Sequence, residues 1–306
     1  MPAEILCCGE ALIDMLPRIS EQGESAFAPH TGGAVYNTAI ALGRLGAPAG
    51  YFGGLSRDLF GQLLEEDLNA ARVEAGLAPR SDAPTTLAFV TLRDGHATYA
   101  FYDENTAGRM LSEDDLPALP ETVTTLFFGG ISLVSEPCAD SFAALAAREA
   151  DKRLIMLDPN IRPGFIRDEA RYRARLERML ALADVVKVSD EDLDWITGTT
   201  DPNALIAHGV KLVLMTRGAE GVTAVSAHGT RNLPANKVEV VDTVGAGDTF
   251  NAGFLAGLHQ AGLATKGTFA AADLDALAPA ITLGMRAAAV TVSRAGANPP
   301  WAEELA

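Results

Sequence analysis

Cysteine is scarce: the 306-residue chain has three, two of them adjacent at Cys7 and Cys8 within an apolar run. That suits a reducing compartment better than a disulfide framework, so the expected location is cytoplasmic. Histidine is also sparse, with five, and none shares metal-ligand spacing with the cysteines, which argues against a structural zinc site. Basic residues are outnumbered, 24 Lys and Arg against 40 Asp and Glu, for a net charge of −16. Such a surface disfavours nucleic acid and anionic membrane as partners. No stretch approaches the roughly 20 apolar residues of a membrane span. The N-terminus lacks a basic n-region, and Glu10 and Asp14 interrupt its apolar run, so no signal peptide is expected. Internal repeats, low-complexity tracts and a long linker are missing too. No G-x-x-x-x-G-K-[ST] occurs, and where a dinucleotide fingerprint needs its third glycine the chain has Phe250.

What is present is 48% hydrophobic residues, enough for a large core in a single domain spanning 1–306. Short β-rich runs alternate with helical patterns from end to end, which predicts an α/β fold with a doubly wound, mostly parallel sheet flanked by helices. The predicted strands are Ile5–Cys8, Ala49–Phe52, Thr125–Phe128, Leu154–Leu157, Val185–Val188, Lys211–Met215, Gly221–Val225 and Val238–Val241. The predicted helices are Val35–Leu45, Leu59–Ala71, Cys138–Ala150, Ala170–Leu182, Asp248–Gln260 and Leu274–Ser293. Leu12–Pro17 and Thr86–Tyr102, with a turn at Asp94-Gly95, read as hairpin material. They predict a small β-sheet lid from about 11–30 and 85–105, or else an ordinary extension of the main sheet.

The most telling segment is Val240-Val241-Asp242-Thr243-Val244-Gly245-Ala246-Gly247-Asp248-Thr249-Phe250, read as strand, glycine loop and helix start. Unpaired N–H groups and the positive end of a helix dipole hold phosphate there. A fixed carboxylate would repel a resting pyrophosphate. Asp248 makes sense where an acceptor hydroxyl loses its proton as it meets a phosphoryl group. The plainer reading is that Asp248 caps the helix.

Other constellations follow predicted strands, on the edge where open α/β sheets bind ligands. Gly32 and Gly33 precede a helix whose first turn carries Asn37, a donor and acceptor for hydroxyls. Asp14 can accept from paired sugar hydroxyls, or is simply a polar edge residue. Asp158-Pro159-Asn160 reads as a turn that leaves Arg162 free for phosphate. Lys187-Val188-Ser189-Asp190-Glu191-Asp192 puts acids at a helix start, complementing the dipole or holding hydrated Mg²⁺. Thr216-Arg217-Gly218-Ala219-Glu220-Gly221 is a nucleotide-phosphate turn or a plain hairpin.

Together these residues resemble the ribokinase-like, phosphofructokinase-B-type carbohydrate kinases, over essentially the whole chain. Gly32-Gly33 with Asn37 looks like that family's first signature, and Asp242-Thr243-Val244-Gly245-Ala246-Gly247-Asp248 like its second, D-T-x-G-A-G-D. The resemblance implies ATP as donor, a sugar as acceptor and Asp248 as base, with the amides of Gly245, Ala246 and Gly247 as anion hole and Arg162 near the reacting groups. It implies Asp14, Gly32, Gly33 and Asn37 on the sugar, and Phe101 and Asp103 in the lid near the sugar or the partner's lid. It puts Lys187, Ser189, Thr216, Gly218 and Gly221 with the nucleotide. Where many members carry N-x-x-E this chain has Ser189-Asp190-Glu191-Asp192, which leaves Glu191 or Asp192 to order Mg²⁺ through water. A K⁺ site would involve Asp242, Val244, Thr291, Arg294 and Gly296, with Pro300 where some relatives have serine. Relatives often form homodimers through the lid. Residues 8–14, 99–107 and 292–300 look most like the bacterial fructokinases of the family, which implies D-fructose as substrate. A 2-keto-3-deoxygluconate or nucleoside kinase of the same fold, a non-catalytic sugar sensor and a nicotinamide dehydrogenase are the alternatives.

Overall fold

The computed structural model describes residues 2–93 and 96–305; the expected Asp94-Gly95 turn lies outside the described residues. Eight strands form the main sheet: β1 (Ile5–Cys8), β4 (Ala49–Phe52), β9 (Thr125–Gly129), β10 (Leu154–Asp158), β11 (Val185–Ser189), β12 (Leu212–Thr216), β13 (Val222–Ser226) and β14 (Gly229–Leu233). Their spatial order is β14-β13-β12-β11-β10-β9-β1-β4, parallel from β4 to β12, with β13 and β14 antiparallel. The helices are α1 (Ala34–Arg44), α2 (Leu59–Ala70), α3 (Cys138–Glu149), α4 (Glu169–Leu182), α5 (Asp190–Thr197), α6 (Asn203–Ala207), α7 (Ala246–Gln260), α8 (Lys266–Ala270) and α9 (Leu274–Val292).

Strand β1 shows why the sheet is central. Ile5 and Cys7 enter the apolar cluster shared with α1, α2, α7, α8 and α9, while Leu6 and Cys8 enter the one shared with α3 to α6. Alternate residues of a pleated strand face opposite layers, so a strand covered on both sides must be apolar throughout. The three cysteines are free and buried, with Cys138 pushed up to about 12 by desolvation.

Helix α9 departs from expectation. With 19 residues and a mean hydropathy of 1.2 it is long and apolar enough to cross a bilayer, contrary to the sequence reading. It lies instead along α7. Glycines set the close approach: a Cβ on Gly253 would come 2.7 Å from Gly284 Cα, and one on Gly257 2.5 Å from Ala280 Cα.

The lid is a separate four-stranded sheet, β3-β2-β7-β8, from β2 (Leu12–Ile19), β3 (Ser25–Gly32), β7 (Leu87–Arg93) and β8 (His96–Tyr102). A short parallel pair, β5 (Leu55–Ser56) with β6 (Arg80–Ser81), makes a third sheet. The expected strand Val238–Val241 does not form. The N–H groups of Val241 and Asp242 both donate to Val292 O at the end of α9, so this stretch ties to a helix end rather than to a strand. The sheet edge it would have occupied is taken by β14, paired with β13 as a hairpin.

Candidate active site

The connections leaving the C-terminal ends of β1, β10, β11 and β12, the lid and the start of α7 surround a cavity of about 520 Å³. A second cavity of about 340 Å³ shares Ser189 and Thr216 with it and continues past Asp190, Glu191, Arg217, Gly218 and Glu220.

The glycine loop lies at the first cavity. Asp242 folds it: one carboxylate oxygen accepts from Val244 N (3.0 Å) and the other from Gly296 N (2.9 Å). Gly245, in the left-handed region at φ 75°, is the N-cap of α7, and a Cβ there would meet Ala297 Cβ at 2.7 Å. No side chain caps this end; Ala246 N–H makes a long hydrogen bond to Thr243 O (3.3 Å), and the turn otherwise presents its N–H groups toward a ligand.

Asp248 sits within that turn rather than at the cap, so the capping interpretation fails. It is 9% exposed, and its carboxylate accepts from Asn37 Nδ2 at 2.9 Å. Burial raises its pKa to about 7, with the Asn37 hydrogen bond and the Lys187 charge opposing the rise and Asp158 and Glu10 adding to it. Such a carboxyl is poised to take a proton near neutrality.

Asn37 is held by α1, whose N-terminus is capped from a distance. Glu10, in the connection after β1, accepts from Ala34 N (2.8 Å), Val35 N (3.4 Å) and Ser132 N (3.2 Å). Sequence reasoning did not assign Glu10 a role. Its available signal was position, a carboxylate just past the end of a fully buried strand.

Asp14 enters from β2 and lines the cavity, with its pKa raised to about 6 by burial. Gly33 lines it as well, but Gly32 does not: a Cβ at Gly32 would come 2.3 Å from Asp14 Oδ2, so that glycine makes room for the carboxylate instead of facing a ligand. Phe101 packs edge-on against Phe165 with ring centroids 4.0 Å apart, and Tyr99 stands beside it, giving an aromatic wall. Tyr99, Asn160 and Phe165 were not singled out from sequence, although all three line the cavity. Arg162 lines it too, donating to the neighbouring Ile161 O.

Several assignments are corrected. Asp103 is outside the cavity lining, and its carboxylate is taken by Arg109 (3.1 Å) and Ser135 (3.3 Å). Gly221 is absent from both linings, and its Cβ would strike Leu233 O at 2.1 Å, so it serves the β13–β14 hairpin. Ser189 and Asp192 form a capping box that starts α5, and Asp192 also accepts from Ile161 N at 2.8 Å. That leaves Glu191 as the exposed acid of the pair, on the second cavity. Thr291 is buried and donates to Thr249 Oγ1 at 3.0 Å, and Arg294 pairs with Glu304. Among the described residues no cluster of three or more His, Cys, Asp or Glu has metal-binding geometry.

A capless helix start beside a buried carboxylate, at the ligand edge of a doubly wound sheet with a β lid, defines the α/β phosphotransferase class of site. Residues 2–304 match the model of the pfkB family carbohydrate kinases. The chain belongs to that family and is a carbohydrate kinase. It is 53% identical over 277 residues to a fructokinase of Rhizobium leguminosarum bv. trifolii, covering 89% of this chain and 85% of that one. Its fold is similar to the fructokinase of Xylella fastidiosa with bound ATP, at TM-score 0.88, 29% identity and coverage of 98% and 96%. It is also similar to the aminoimidazole riboside kinase of Salmonella enterica complexed with aminoimidazole riboside and an ATP analogue, at TM-score 0.83, 25% identity and coverage of 98% and 97%.

Proposed function

We propose that the protein transfers the γ-phosphoryl group of ATP to D-fructose, giving fructose 6-phosphate and ADP. The observation that carries this reading is the Asp248 carboxylate, held by Asn37 in the uncapped first turn of α7. Asp248 takes the proton of the attacking hydroxyl, a bond forms from that oxygen to phosphorus, and the bond from phosphorus to the ADP oxygen breaks. The amides of Gly245, Ala246 and Gly247 stabilise charge on the phosphoryl oxygens, with Arg162 facing the same space. Asp14, Gly33 and Asn37 receive the sugar, and Thr216, Gly218, Ser189 and Lys187 surround the nucleotide phosphates.

Magnesium supplies charge neutralisation on the phosphates when bound. Glu191 fits it as an exposed carboxylate that binds through water. A potassium ion at this loop would draw on backbone carbonyls around Asp242 and Val244, because the Asp242 carboxylate, Thr291 and Arg294 side chains are already engaged. The relatives' fructokinase identity supports fructose, and the scarcity of cysteine supports a cytoplasmic setting. A second reading, a nucleoside acceptor stacked on a ring, draws on the Phe101–Phe165 wall.

A coupled ADP-release assay with fructose, ribose, 2-keto-3-deoxygluconate and adenosine decides between them. Fructose should give the highest kcat/KM, and a stronger response to any other acceptor replaces the reading. Asp248→Asn should lower kcat by about two to four orders of magnitude while ATP still binds.

A further inference from the structure

Beneath the anion loop lies a polar cluster of Lys187, Asp158, which the sequence offered only as a turn residue, and Asn251. Lys187 on β11 donates to Asp158 Oδ2 on β10 at 3.1 Å, and Asn251 Nδ2, one turn beyond Gly247 in α7, donates to the same oxygen at 2.7 Å. All three are buried, Asp158 at 2% exposure and Asn251 at 0%. A Cβ built on Gly247 would come 3.0 Å from Lys187 Nζ, so the ammonium lies directly under the loop, and Lys187 also lines the main cavity. Asp158 Oδ1 and Asn251 Oδ1 have no hydrogen-bond partner among the described residues.

This arrangement is costly for a merely structural tie. A buried ion pair with unsatisfied acceptors contributes little to stability compared with apolar packing of the same volume. It does join two parallel strands to the first turns of α7 and fix a charge there. We propose that Lys187, Asp158 and Asn251 form a positioning triad for phosphoryl transfer, which seats the anion loop and tunes the general base Asp248 through the opposed charges of Lys187 and Asp158. Asp248 shares the cavity wall with Asn37 of α1, which hydrogen-bonds it, Glu10 from the connection after β1 and Lys187 of β11, whose ammonium is held by Asp158 of β10. Asp192 of α5 faces Lys187, and Asp14 and Arg162 lie elsewhere on the cavity wall. Burial lifts the Asp248 pKa, Lys187 lowers it and Asp158 raises it.

The inference rests on the kinase reading, yet its test does not require turnover. The Asp248 carboxyl would be titrated by ¹³C NMR, assigned by its loss in Asp248→Asn, alongside the acid limb of kcat/KM for fructose. Lys187→Met should move the midpoint up by about one pH unit and Asp158→Asn down by about one, the range for a close charge. The double variant should return to within about half a unit of the parent. A purely structural triad would shift both single variants the same way or neither, and either result overturns the proposal. Asp158→Asn is isosteric and decides alone if Lys187→Met does not fold: a midpoint that stays or rises then overturns it. Failure of the unaltered protein to phosphorylate any sugar would defeat the kinase reading and leave the carboxyl titration to judge the triad.

Discussion

Asp248 carries two opposite demands. Its raised pKa, about 7, means that the base form appears only as pH climbs through neutrality. kcat/KM for the sugar should therefore rise about tenfold per pH unit below that value and level off above it. A profile that is flat between pH 5.5 and 8, on the order of the window spanning that pKa, would remove Asp248 as base. The same group costs stability. A carboxyl that titrates near 4 when unfolded and near 7 when folded weakens the fold progressively as pH rises between those values. Asp248→Asn lacks that penalty, so at pH 8 its Tm should exceed the parent's, while at pH 4 the two should converge; thermal melts at both pH values check this. The contiguous residues of the centre were readable from sequence because glycines, a carboxylate and a helix start fall together between Asp242 and Asp248. Glu10 and Asn251 were not, and Asp158 was offered only as a turn residue, since each is one polar residue among apolar neighbours and its partner lies far along the chain. Asp103 was misread because its own neighbourhood gives no hint that Arg109 and Ser135 claim it.

Among the elements, strands covered on both faces announced themselves as unbroken apolar runs, and β1, β4, β9, β10, β11 and β12 lie where expected to within a residue or two. Strand β3 went unspecified because Ser25–Gly32 has little β-branching and contains Pro29. It forms at the edge of the lid, where a missing N–H is tolerated. Val238–Val241 shows the converse. Its β-branched residues fit a strand locally, but Val241 N and Asp242 N are taken by Val292 O at the end of α9, and Val240 and Val241 remain exposed. The α7–α9 contact was invisible for a related reason, since nothing in a lone glycine says which backbone approaches it. Gly257→Val should drive side-chain atoms into Ala280 and lower unfolding free energy by about 3 kcal/mol, which urea denaturation would measure. An unchanged midpoint would mean that the helices separate freely.

For the whole molecule, the lid is the surface with unfinished business. Phe27, Phe89 and Tyr102 stack edge-on with centroids 5.0 and 5.4 Å apart, yet Phe27 is 42% and Tyr102 63% exposed. Exposed aromatic clusters of this kind mark contact surfaces, and we expect two copies to associate there. Light scattering should give twice the 32.0 kDa chain mass, and Phe27→Asp should return the particle to one chain. A monomer at micromolar concentration would exclude the arrangement. Lid and main sheet could both be anticipated in outline from the sequence, whereas their closure around one cavity depends on contacts no local pattern records. The Asn37–Asp248 hydrogen bond is the extreme case, joining positions 211 residues apart. Such distant contacts are slow to assemble because the intervening chain must be ordered first. The proposed catalytic pair should therefore close late: in refolding, helicity followed by circular dichroism should recover before kinase activity does.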